Sequence, residues 1–129
     1  MPRNVRRFEW LMYGGFVASW LVTPFNARFY ESLARFHYTA IVLAIILSGL
    51  RLLIIWGIAR KRLNWLRWTM LVLFAIGLPF SVPDAWHEFP AYAVDGSRRF
   101  FELAYEALAL WFVFTGDAVA WFRRAPAAA

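Results

Sequence analysis

The chain has no cysteine, so disulfides, thiolate metal sites and a cysteine nucleophile are all excluded. Histidine is almost as scarce, with two in 129 residues. No Ser-His-Asp spacing, glycine-rich phosphate loop, paired-histidine helix or nucleotide fingerprint is present. An enzyme is therefore not expected, and no cofactor is implied. Charge is thin as well: 17% of residues are Asp, Glu, Lys or Arg, against about 25% in an ordinary soluble domain. That is poor cover for a surface in water.

What is present is apolar. Hydrophobic residues make up 62% of the chain and aromatics 20%, and they gather into four blocks, which is a membrane pattern rather than a globular one. The blocks predict an all-α fold: a four-transmembrane-helix bundle with helices at about 8–25, 39–59, 65–82 and 100–122. Residues 1–124 are expected to form one integral membrane domain, and residues 125–129, "APAAA", read as a disordered tail. A helix needs about 20 residues to cross roughly 30 Å of hydrocarbon, so the first and third segments must borrow flanking residues. Pro79 predicts a kink near the end of the third. The basic, then apolar, start resembles a signal peptide, but three further apolar segments follow, so it is expected to stay as the first membrane segment.

The formal charge of +6 does not form a continuous basic face, so nucleic acid is not an expected partner. The cationic residues sit instead at the ends of the apolar blocks. Arg3, Arg6, Arg7, Arg60, Lys61, Arg62, Arg67, Arg123 and Arg124 share one side if all four segments span. Arg28, Arg35, Arg98 and Arg99 fall on the other, offset by Glu31, Asp84, Glu88 and Asp95. The positive-inside rule then predicts both termini in the cytoplasm. Tryptophans near the block ends match an interfacial aromatic belt.

Both outer loops predict short interfacial helices. In "FNARFYESLARF", Asn26 can cap a helix with Phe29, Leu33 and Phe36 on one side and charges on the other. In "PDAWHEFPAYAVDGSRRF", Asp95-Gly96 reads as a turn and Ser97 as the cap of the last helix. Ser48-Gly49 and Thr115-Gly116 hint at two hairpins related by a repeat.

The stretches "IARKRLNWLRWTMLVLFAIGLP", "RRFEWL" and "FTGDAVAWFRR" resemble a family of small, functionally uncharacterised four-helix bacterial inner-membrane proteins. The resemblance implies a bacterial inner membrane and carries over no active-site residue.

A few residues are out of keeping with lipid. Arg51 lies eight residues before Ala59, about 12 Å from the inner boundary at 1.5 Å per residue. A charge there costs roughly 2.5–3.5 kcal/mol on insertion scales, so it is expected to face inward and find a partner. On a straight fourth helix, Glu102, Glu106 and Asp117 fall within about 60° of one another. Asp117 is nearer in depth to Arg51, so an Arg51–Asp117 pair is expected, with Glu106 as the alternative partner. Glu102 reads as solvated. The pair can simply fix helix register. With Ser48 beside Arg51 and carboxylates to spare, Arg51, Glu106 and Asp117 can also line a polar ion path.

Gly14-x-x-x-Ala18 and Gly15-x-x-x-Ser19 give the first helix a flat packing face. His37 and His87 read as interfacial histidines, a metal site with Glu88 being the minor alternative. The leading functional expectation is a small oligomeric channel or transporter with a polar path on the fourth helix. The alternative is a non-catalytic accessory or assembly subunit of a larger membrane complex. The expected partners are the lipid bilayer and either further copies of the chain or that complex.

Overall fold

The computed structural model describes residues 1–36 and 38–123, all helix and connecting turns with no strand among them. The expected tail at 125–129, Arg124 and His37 lie outside the described residues. The order is α1 (Arg3–Val22), a single 3-10 turn (Thr23–Phe25), α2 (Ala27–Phe36), α3 (Tyr38–Ala59), α4 (Asn64–Glu88), α5 (Ala93–Phe114) and α6 (Asp117–Arg123).

α5 is the centre of the bundle. It packs most extensively on α1 and next on α4, while α3 touches α1, α4 and α2. The buried core is concentrated at one end, called here the α6 end. Val5, Phe8 and Met12 of α1 meet Ile55 and Ile58 of α3, Leu66 of α4, Ala109 and Val113 of α5, and Phe122 of α6. The opposite, α2 end is loosely filled, and Val42, Leu43, Ile46 and Leu47 of α3 are exposed on the chain itself.

Two helices, α3 and α4, are long and apolar enough to cross a membrane, and α5 with α6 makes a third if the bent pair is one span. α1 has the length, at 20 residues, but Arg3, Arg6, Arg7 and Glu9 crowd its first two turns. The helices thus support two or three crossings rather than clearly four.

Several local expectations are corrected. The fourth apolar block is not one straight helix: it breaks at Thr115-Gly116 and turns by 62°. Gly116 supplies the left-handed backbone there, with φ +60°, which a residue with a Cβ adopts only at a cost. Gly49, the supposed counterpart in the repeat, lies in unbroken helix. The segment between α4 and α5 holds no separate short helix, because α4 runs on to Glu88 and α5 begins at Ala93. Asp95 and Gly96 are helical and buried, not a turn, and Ser97 is not a cap. A Cβ on Gly96 would stand 2.9 Å from Phe89 Cα, so glycine lets the two helices approach. Finally, the third expected helix, bounded at 65–82, runs on as α4 to Glu88 with Pro79 and Pro83 inside it. The two prolines are four apart, so their missing donors fall on one strip of the helix and leave the other faces bonded.

The segment after α1 holds the expected short helix and its cap. Asn26 Oδ1 accepts the Phe29 N–H at 3.0 Å and starts α2. Phe29 and Leu33 are half-buried while Glu31 and Arg35 are exposed, though Phe36 is exposed too.

The break before α6 is held by distant residues. α1 opens on Pro2 with no side-chain cap of its own. Asp117 supplies one from the far end of the chain, accepting the Arg3 N–H at 2.7 Å and the Asn4 N–H at 3.0 Å. Such a cap is worth about 1 kcal/mol. In return the Asn4 side chain donates to Thr115 O at 2.9 Å. Arg67 Nη1 donates to Val113 O at 3.3 Å, and its guanidinium lies over the rings of Phe122 and Phe114 at 4.5 and 4.8 Å. A buried cation at the C-terminal carbonyls of α5 complements that helix end.

Candidate functional site: a charged cleft at Arg51

Arg51 projects from the middle of α3 toward α5, where Tyr105 and Glu106 receive it. Its Nη2 donates to Tyr105 Oη at 2.7 Å and forms an ion pair with Glu106 Oε1. The guanidinium also stands 5.7 Å from the Tyr105 ring centroid. The partner of Arg51 is therefore Glu106, the alternative, and not Asp117. Depth along one straight helix does not apply, because the break at Gly116 carries Asp117 away to the start of α1. Asp117 belongs to no path with Arg51.

Tyr105 is 5% exposed, and a neighbouring glycine makes its position possible. A Cβ on Gly15 would lie 2.6 Å from two Tyr105 ring carbons. The small face of α1 thus seats the phenol that helps hold Arg51. The Gly14 side of α1 is different, with open space around it. Of the two small-residue rows, Gly15 and the buried Ser19 pack within the chain, whereas Gly14 does not, and Ala18 is half-buried beside a surface hollow.

Two cavities meet at Arg51. The first is a cleft of about 520 Å³ at the α2 end, between α1, α2, α3 and α5. Ser19, Ser48, Arg51, Arg98, Arg99 and Glu102 give it polar walls; Phe16, Trp20, Phe29 and Ala44 give it apolar ones. The second is a groove of about 350 Å³ between α3 and α4, lined by Leu50, Ile54, Leu73, Phe74 and Gly77, with Glu106 and Arg51 at its wall. Leu47 and Arg51 line both.

The other charges of the cleft are paired. Arg98 Nη1 donates to Glu102 Oε1 at 3.0 Å, so Glu102 is part of the site rather than a solvated bystander. Arg99 Nε donates to Glu88 Oε2 at 2.8 Å, and Glu88 is 3% exposed. Sequence reasoning missed Arg98 and Arg99 as site residues because "AVDGS" was read as a turn. Once α5 is started at Ala93, Arg98, Glu102 and Glu106 form an i, i+4, i+8 stripe, a signal that was available.

His87 is exposed in the last turn of α4. Among the described residues no group of three or more His, Asp or Glu is placed to hold a metal ion. Toward the α6 end the polar contacts are structural. Arg60 donates to both Glu9 carboxylate oxygens, at 2.8 and 3.3 Å, tying the α3–α4 turn to α1. That hydrogen bond, then the Glu9 charge, raises the Arg60 pKa above its ordinary value. Arg62, in a left-handed backbone conformation (φ 55°), stacks 3.5 Å over the Trp121 ring. Comparison of the chain with protein-family models, curated proteins and solved structures finds no match.

Proposed function

We propose that the chain is a multi-pass bacterial inner-membrane protein of transporter type, holding a polar group in a one-sided cleft rather than conducting through a pore. In this reading α1, α3, α4 and the bent α5–α6 pair make four crossings. The α6 end faces the cytoplasm, because Arg3, Arg6, Arg7, Arg60, Lys61, Arg62 and Arg123 all gather there. α2 lies at the outer interface.

One observation carries the functional reading. The Arg51–Glu106 pair sits where two cavities meet, the cleft at the α2 end and the groove between α3 and α4. Intramembrane charges are costly and mark substrate or ion sites by default. Register alone would need one arginine and one carboxylate, whereas the cleft also presents Arg98, Arg99, Glu102 and Ser48. The α6 end beyond it is the packed layer of Phe8, Met12, Ile55, Ile58 and Val113, each 0% exposed. The open row at Gly14 and Ala18 is where a second copy, or a larger complex, would pack.

Current recording tests the pore alternative. Reconstituted in planar bilayers, the purified chain is expected to carry no steady ion current, since the apolar layer offers no polar path. A sustained current abolished by Glu106→Gln would replace the one-sided cleft with a channel.

A further inference from the structure

We infer that the cleft binds an anionic membrane amphiphile of the outer leaflet, with its phosphate head among the arginines and an acyl chain in the α3–α4 groove. This names a ligand class for the cleft proposed above and rests on that reading.

Guanidiniums outnumber carboxylates on the cleft wall, although each of the three is itself bonded to a carboxylate. Three guanidiniums, Arg51, Arg98 and Arg99, line it against one carboxylate, Glu102. Two of the acidic partners approach from other walls: Glu106 lines the groove, and Glu88 is buried behind Arg99. The bonds above engage Arg51 through Nη2, Arg98 through Nη1 and Arg99 through Nε, and each guanidinium carries five N–H donors. Forked guanidinium donors suit a phosphate oxygen, and Ser19 and Ser48 add hydroxyls to the same walls.

A free anion would account for the cleft but not for what adjoins it. The groove shares Arg51 and Leu47 with the cleft, and Gly77 and Ser81 of α4 line it too. It runs between α3 and α4 along apolar side chains, with Ile55 and Met70 at its α6 end. Leu47, Leu50 and Leu73 on its flanks are 53–59% exposed, so it is open sideways, where a chain can enter from the bilayer. A charged chamber joined to a laterally open apolar groove has the form of an amphiphile.

Binding of phosphatidylglycerol and of phosphatidylcholine with the same acyl chains, measured by mass spectrometry on the full purified chain, tests this. Each interfacial arginine is worth about 1 kcal/mol toward an anionic lipid, so a preference for phosphatidylglycerol of about fivefold or more is expected. Arg98→Gln, which removes a head contact, and Ala44→Phe, which fills the cleft, should each bring that preference below about twofold. Lys61→Gln, at the far end, should leave it unchanged. The inference is overturned if both cleft variants keep the wild-type preference, or if Lys61→Gln lowers it as much as they do. It is also overturned if millimolar inorganic phosphate displaces the lipid, because the head alone would then suffice. Lipid indifference in a protein whose Ser48→Cys thiol is still open to outside reagents would overturn the ligand and leave the cleft standing.

Discussion

Glu106→Leu is expected to destabilise the protein by about 2 kcal/mol, Arg51→Leu by a similar amount, and the double variant by much less than their sum. Breaking a fully buried pair costs about 3–5 kcal/mol because the surviving charge is left without compensation. Here the side chains of Arg51 and Glu106 keep 31% and 24% of their exposure, both at cavity walls, so the penalty is smaller. The double change to leucine removes both charges from an apolar setting, which is often close to neutral. Asp117→Ala also destabilises, through the lost cap of α1, but its effect should simply add to that of Arg51→Leu. Melting curves in detergent read all of these. Additive losses for Arg51 and Glu106, or coupling between Arg51 and Asp117, would mean that the ion pair is assigned wrongly.

The second large effect comes from two adjacent glycines with opposite expected signs. Gly15→Ala puts a methyl group 2.6 Å from the Tyr105 ring, in a place where the ring is buried and its hydroxyl is tied to Arg51. Overpacking of this kind costs about 1–3 kcal/mol. Gly14→Ala meets nothing within 4 Å and gains helix propensity, so it should be neutral or stabilising by up to about 1 kcal/mol. Shortening the ring should relieve the clash: Gly15→Ala/Tyr105→Leu is expected to melt no lower than Tyr105→Leu alone. Equal behaviour of the two alanine variants would show that Tyr105 does not rest on Gly15.

Hydrophobic blocks made the all-α class and most of the helices legible. The second block, read as 39–59, is α3 at Tyr38–Ala59, because nothing but a helix suits so long an apolar run. The Asn26 cap was equally readable, being a local signal. The features that escaped depend on distant partners. Nothing local ends α5 at Phe114 beyond one glycine; Asn4, Arg67 and Asp117 hold the break from elsewhere. Once that break is missed, depth along an ideal helix brings Asp117 to Arg51 and sets Glu106 aside. The site was therefore half legible. That Arg51 turns inward beside Ser48 followed from its apolar surroundings, whereas its partners Tyr105 and Glu106 depended on where α5 starts and stops. Arg67 was counted among the topological charges, although it is 8% exposed and plugs the end of a helix.

Since the chain is free of cysteine, Ser48→Cys would be its one thiol. Membrane-impermeant maleimide offers the most direct test of a charged cleft that opens to one side only. Reagent added from outside should label Ser48→Cys, and reagent added from the cytoplasmic side should not, while Lys61→Cys at the other end shows the reverse. Labelling of Ser48→Cys from the cytoplasmic side, or from neither side while Lys61→Cys reacts normally, would contradict the outward-open cleft.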